Sequence, residues 1–205
     1  MTQATPPIGE MIRETFRDPR EAARTIMGLD LPATVLWQAL FLVVVLSVLT
    51  AQVTGLMTGA YSGGGAEMLL PGFLGSPLTM GFVQGALLVV MVFAVYWIGR
   101  SFGGWGSFEA SIALVTWLQF LLVCLQVGQA VASLILPPLA GLIGLAGVVI
   151  FFWLLTVFVC ELHGFQSSGM VFVTILVSML AIIFALSLVL AIIGVVFVGE
   201  VPNNV

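Results

Sequence analysis

Four long stretches of the chain contain no Asp, Glu, Lys or Arg: residues 31–66, 68–99, 110–160 and 162–199. A helix needs about 20 apolar residues to cross the hydrocarbon core of a bilayer, so each stretch is long enough for at least one crossing. Only 7% of the residues are charged and 61% are hydrophobic, which is too few charges to solvate the surface of a soluble domain. The sequence therefore predicts an all-α integral membrane protein.

The stretch 110–160 is too long for one crossing. As a single helix it would extend about 77 Å at a rise of 1.5 Å per residue, more than twice the thickness of the hydrocarbon core. Pro137 and Pro138 lie inside it and interrupt a helix, so we predict a tight turn near 136–139. The result is a five-helix transmembrane bundle, with spans at about 35–56, 79–99, 109–136, 139–160 and 170–198.

The arginines predict the orientation. All five basic residues flank the same ends of the predicted spans: Arg13, Arg17, Arg20, Arg24 and Arg100. Because basic residues are retained on the cytoplasmic side, we expect a cytoplasmic arm at residues 1–34, a membrane domain at 35–199 and an external tail at 200–205. The first apolar run follows four arginines and shows no convincing cleavage site, which favours a retained signal anchor.

The arm has the pattern of two short amphipathic helices. In the first, Ile8, Met11, Ile12 and Phe16 recur at helical spacing, with charged residues between them. The second begins at Asp18-Pro19, where Asp18 is predicted to cap the helix. We expect both helices to lie at the membrane surface, and the apolar side of the second to face the bilayer through Ala22, Ala23, Ile26 and Met27.

Polar side chains form a stripe on one side of the predicted third span. Its candidate members lie within an arc of about 80°, with the first residue at its edge, and are Thr116, Gln119, Gln126, Gln129 and Ser133. An amide that is unpaired in hydrocarbon is costly, so the stripe should face protein. The sequence leaves two alternatives open, which are hydrogen bonding between helices and a polar path for a small solute.

A second group of candidates is predicted at the cytoplasmic ends of the spans. These residues, Arg100, Glu109, Glu161 and His163, form a candidate charge cluster. Glu161 follows the carboxyl end of a span, where a negative charge is unfavourable, so we expect it to pair with Arg100 or with an arginine of the arm. The glycine-rich segment 99–107 lacks the Lys-Ser/Thr ending of a phosphate-binding loop and is predicted to be a connector.

The sequence predicts no catalytic residue, cofactor or metal site. The single histidine is not accompanied by a serine nucleophile motif or by a ligand set at metal-binding spacing. Nucleic-acid binding is not expected either, because the net charge is −4 and no basic patch is present.

Three segments together resemble the bacterial branch of the Yip-domain family. They are Asp18-Pro19-Arg20-Glu21-Ala22-Ala23-Arg24, Gly103-Gly104-Trp105-Gly106-Ser107-Phe108-Glu109 and Trp117-Leu118-Gln119. Proteins of this family have five spans and are related to eukaryotic Yip proteins, which interact with small GTPases of the Rab/Ypt type. The resemblance implies a similar bundle in the bacterial cytoplasmic (inner) membrane, and it transfers no site residue to this chain.

These observations lead to three hypotheses for function. The first is a non-enzymatic adaptor or membrane-organising protein that uses the bundle and its arm, with the lipid bilayer and either another membrane protein or a second copy as partners. The second is a small-solute channel or transporter with a path along Gln119, Gln126 and Gln129, although the predicted spans carry no ionisable residue at mid-membrane depth. The third, a membrane enzyme that uses Glu161 and His163, has the least support.

Overall fold

The computed structural model describes residues 7–58 and 76–198, and in these residues the secondary structure is α-helical. The tail predicted at 200–205 lies outside the described residues. The helices, in chain order, are α1 (Ile8–Arg17), α2 (Pro19–Met27), α3 (Ala33–Thr58), α4 (Pro77–Ser101), α5 (Phe108–Ile135), α6 (Pro137–His163) and α7 (Ser168–Val198).

The five helices α3 to α7 are each long and apolar enough to cross a membrane. They overlap the five predicted spans, and most extend a few residues beyond them at one or both ends. The break between α5 and α6 falls at Leu136, which has an extended backbone, and α6 begins with Pro137 and Pro138. A residue that precedes proline is disfavoured in the helical conformation, which explains why α5 ends there.

Helix α5 is central in the bundle. It packs against α3, α4 and α6, whereas α7 lies at the edge and contacts α6. One group of buried side chains joins α3, α4 and α5 and includes Leu40, Val92 and Val115. A second group joins α5 and α6 to the arm and includes Leu118, Leu154 and Phe158. The arm is therefore part of the packed structure.

The two arm helices form where the sequence predicts them. The Asp18 carboxylate accepts hydrogen bonds from the backbone N–H groups of Arg20 (3.2 Å) and Glu21 (3.1 Å), so the predicted cap is confirmed. The caps and the helical periodicity are local features, which is why the sequence was sufficient to locate them.

The predicted position of α2 against the bilayer is wrong. Ala22, Ala23 and Ile26 are buried by protein, and Met27 is partly buried against the same group of side chains from α5 and α6. The two alanines are small enough to let α2 approach the ends of α5 and α6 closely. The apolar side of α2 is therefore covered by the bundle.

One end of the bundle carries the features that bear on function, and we call it the arm side. It consists of α1, α2, the α4–α5 turn at 102–107 and the α6–α7 turn at 164–167. The α5–α6 turn at Leu136 lies at the opposite end.

Candidate functional site

His163 lies at the centre of the arm side. It is the last residue of α6 and only 2% of its surface is exposed. Its Nδ1 accepts a hydrogen bond from the backbone N–H of Gly106 (3.3 Å), and its Nε2 lies 3.0 Å from the carbonyl oxygen of Val95. Since Nδ1 is the acceptor, Nε2 carries the proton and donates to Val95, which defines a neutral imidazole. The histidine thereby joins α6 to α4 and to the α4–α5 turn.

Three glycines form a cradle around this imidazole. A Cβ atom at Gly99 or Gly104 would collide with the His163 ring, and one at Gly106 would lie 2.7 Å from Leu162 Cγ. Only glycine allows the backbone to approach the ring this closely. The segment 99–107 is thus more than a connector, because it forms the walls of the histidine pocket. Its density of glycines was the available sequence signal, but the sequence did not indicate what they surround.

The α6–α7 turn closes the same region. Gly164 has a left-handed backbone (φ 72°) and ends α6, and a Cβ there would lie 2.6 Å from the ring of Trp105. The Phe165 ring stacks on His163 at a centroid distance of 5.6 Å. Both turns on the arm side therefore pack around the histidine.

An ion pair connects the arm to α6. Arg24 Nε donates to Glu161 Oε1 at 2.6 Å, and Arg24 Nη1 lies 3.3 Å from Glu21 Oε2. The hydrogen bond and the negative charge of Glu161 raise the pKa of Arg24 above its ordinary value. Of the two partners expected for Glu161, the structure places the arm arginine beside it.

The other members of the predicted charge cluster lie apart. Arg100 lies over the ring of Tyr96, 5.6 Å from its centroid, and Glu109 is exposed in the first turn of α5. Among the described residues, the ion pairs are those of Arg24 with Glu21 and Glu161. Arg100, Glu109, Glu161 and His163 thus do not form one cluster of charges.

A second connection holds α1 against α5. The indole Nε1 of Trp117 donates to Thr15 Oγ1 at 3.0 Å, and Thr15 Oγ1 donates to the carbonyl oxygen of Met11 at 2.7 Å. Thr15 is fully buried. This contact was not predicted from the sequence, although Thr15 follows Met11 by four positions and so lies on the same side of α1.

Gln126 is the centre of a hydrogen-bond network between helices. Its Oε1 accepts from the Ser47 hydroxyl (3.0 Å) and its Nε2 donates to the Ser47 carbonyl oxygen (3.1 Å). Gln84 Nε2 also donates to the Ser47 hydroxyl (2.9 Å). Three helices, α3, α4 and α5, meet in this network, and both ends of the Gln126 amide are paired.

The other four residues of the predicted stripe have surroundings that differ from those of Gln126. Gln129 lies against Gly144 of α6, and the Ser133 hydroxyl donates to the carbonyl oxygen of Ala130 in its own helix. Gln119 is partly buried. Thr116 is 92% buried, and its hydroxyl has no partner among the described residues. The structure therefore does not bring the five polar residues together along one path.

The helices and their packing define an all-helical, multi-pass membrane protein. The chain belongs to the Yip1 domain family, since the family model described as Yip1 domain matches residues 13–199. This match covers the second half of α1, all of α2 and the five candidate spans. No curated protein and no solved structure matches the chain significantly.

Proposed function

We propose that this member of the Yip family is a non-enzymatic adaptor or membrane-organising protein of the bacterial inner membrane, with the arm in the cytoplasm. The single observation that supports this most is the docking of the arm. The Arg24–Glu161 ion pair and the Thr15–Trp117 hydrogen bond hold α1 and α2 in one position on the bundle. A docked arm presents a constant surface to a partner, which lowers the entropic cost of binding.

The outward surface of the arm has the chemistry of a protein-binding surface. Its charged residues are exposed or partly exposed and comprise Glu10, Arg13, Glu14, Arg17, Asp18, Arg20, Glu21 and Arg24. Four are acidic and four are basic, so α1 and α2 carry no net charge, and Asp30 makes the arm as a whole slightly acidic, which does not attract anionic lipid. Alternating charges of both signs suit a protein partner with a complementary pattern. The cytoplasmic orientation is supported by the five arginines, all of which are on the arm side.

Site-specific crosslinking in native membranes tests this proposal. A photoreactive amino acid at Arg13 or Arg17 should yield the same protein adduct in independent preparations. Leu139, at the opposite end of the bundle and 42% exposed, is the control position and should not yield that adduct. Failure of both arm positions to capture a recurrent protein would contradict the adaptor proposal.

A charge exchange tests whether docking of the arm matters to the partner. Arg24→Glu should reduce the adduct because it places two carboxylates together, and Arg24→Glu combined with Glu161→Arg should restore it because the pair is re-formed in reverse. If the single variant crosslinks as strongly as the wild type, the docked position of the arm is not what the partner recognises.

The alternative of a small-solute channel or transporter has less support from the geometry. Both polar ends of the Gln126 amide are bonded to Ser47, and Gln129 lies against Gly144 of α6. Flux measurements in reconstituted liposomes separate the two functions. Solute flux that is lost in Gln126→Leu would favour the channel over the adaptor.

A further inference from the structure

A cleft of about 540 Å³ separates the arm from the membrane helices on one side of the bundle. It is bounded by α1 and α2, by the linker that carries Asp30, and by α3 and α5. Its lining is mainly apolar, with Met27, Leu36 and Phe120 from three different elements. Its volume lies in the range of pockets that bind small ligands.

The cleft is about as long as one leaflet of a bilayer is deep. Its lining on α5 extends from Glu109 to Phe120, which is about 16 Å at a rise of 1.5 Å per residue. Half of a hydrocarbon core is about 15 Å thick. The cleft therefore has about the length of one acyl chain.

Thr116 lies in the wall of the cleft, seven residues after Glu109 in α5, or about 10 Å further along the helix. Threonines in helices of this chain commonly donate to the carbonyl oxygen four residues earlier, as Thr15, Thr50, Thr54, Thr58, Thr156 and Thr174 do. The Thr116 hydroxyl makes no such bond and is buried without a partner among the described residues. An unpaired hydroxyl in an apolar wall is costly, and a hydrogen-bond acceptor supplied by a ligand in the cleft would relieve that cost.

The mouth of the cleft is acidic. Asp30 and Glu109 are the charged residues of the lining, and because both are exposed they define its solvent-facing part, which we call the mouth; no basic residue forms part of the lining. Neither carboxylate pairs with a basic side chain in the part of the chain that the structure describes. The mouth therefore complements a cation, in contrast to the neutral mixture of charges on the outward surface of the arm.

We propose that this cleft binds one phospholipid with a primary-amine head group, such as phosphatidylethanolamine. Its ammonium group is held at Asp30 and Glu109, its ester carbonyl accepts a hydrogen bond from Thr116, and an acyl chain occupies the apolar cleft. The ammonium group, the ester carbonyl and the acyl chain follow the same order as the acidic, hydroxyl and apolar parts of the site, and the phosphate, for which the lining has no basic side chain, stays in solvent. This proposal goes beyond the adaptor role and does not depend on it.

Lipid titration of the purified full chain in mild detergent tests the site, with bound lipid counted by native mass spectrometry. Dioleoyl phosphatidylethanolamine should bind more tightly than dioleoyl phosphatidylglycerol, which lacks a cation, and than dioleoyl phosphatidylcholine, whose head group has no N–H donor. The Asp30→Asn/Glu109→Gln double variant should lose roughly tenfold in affinity for the amine lipid and with it the preference.

Three further variants separate the lipid site from a general effect on folding. Thr116→Val keeps the shape of the side chain and should weaken binding severalfold, whereas Thr156→Val removes a hydroxyl that is bonded within its own helix and should not change it. Ala39→Leu should block the cleft, since Ala39 lines it. Equal binding of the three lipids, a preference for phosphatidylglycerol, or wild-type binding by Thr116→Val and Ala39→Leu together would overturn the proposal.

Discussion

The arm side and helix α7 differ in how far their side chains are buried by protein. On the arm side, His163, Thr15 and Ala23 are at most 2% exposed, and the polar atoms of the first two are hydrogen-bonded. In α7, by contrast, Val171 is the one buried residue among the side chains that the structure describes. Lipid is as apolar as leucine, so α7 needs little packing to be stable, whereas the arm side gains its order from close contacts and satisfied polar groups. Substitutions should therefore have large effects on the arm side and small effects in α7.

The largest effect is expected in the histidine cradle. Gly99→Ala adds a methyl group that collides with the imidazole of His163, and we expect the free energy of unfolding to fall by about 3 kcal/mol. The loss is measured by heating the protein in detergent and using size-exclusion chromatography to quantify the fraction that remains folded at each temperature. Gly128→Ala is the matched control, because a Cβ there meets no atom within 4 Å.

The cradle also predicts non-additivity. In the double variant Gly99→Ala/His163→Ala the ring that collides with the new methyl group is absent, so the combined loss should be smaller than the sum of the two single losses. Additive losses would show that Gly99 and His163 do not act through their contact.

The next effect is expected at the arm. Ala23 is fully buried against the bundle, so Ala23→Leu should force α2 away from α5 and α6, at a cost of about 2 kcal/mol in docking free energy. Hydrogen–deuterium exchange of residues 8–27 should accelerate as a result. Gly9→Leu is the control: it adds a larger group to the arm where no atom lies within 4 Å of the new Cβ, and it should not accelerate exchange.

A smaller effect is expected in the middle of the bundle. Gln126→Leu removes two hydrogen bonds to Ser47 and leaves one buried polar network incomplete, which should cost about 1 kcal/mol in thermal unfolding. A double-mutant cycle with Ser47→Ala isolates the contribution of the pair. Gln119→Leu, which removes no hydrogen bond to a described residue, should have less effect. If Gln119→Leu and Gln126→Leu are equivalent, the network is not stabilising.

The smallest effect is expected in α7. Leu180 is 69% exposed, so Leu180→Ala should change the stability of the folded protein by less than about 0.5 kcal/mol. Val171→Ala, in the part of the same helix that packs on the bundle, should be more destabilising although it removes fewer atoms. The opposite order would indicate that α7 is covered by a partner in its native state.

Features that depend on a few neighbouring residues could be predicted from the sequence. The uncharged stretches predicted the five apolar helices, Pro137 and Pro138 predicted the turn, and Asp18 predicted the start of α2. The surroundings of His163 and the partner of Trp117 could not be predicted, because they join residues that are 57 and 102 positions apart. The alternation of polar and apolar residues shows that α2 has an apolar side. It does not show what covers that side, because lipid and protein are equally apolar. The packing of α2 against the bundle could therefore not be predicted.

The sequence by itself determined that this chain is a bundle of five apolar helices with an amphipathic arm, and the reason is the cost of placing charges and unpaired backbone groups in hydrocarbon. Only the tertiary structure decided how the arm docks, which glycines enclose His163, and that Gln126 and Thr116 have different surroundings. These properties depend on which side chains come into contact across distant parts of the chain. In lipid, the contacts between helices depend on side-chain shape and hydrogen bonding, and the hydropathy of a residue specifies neither.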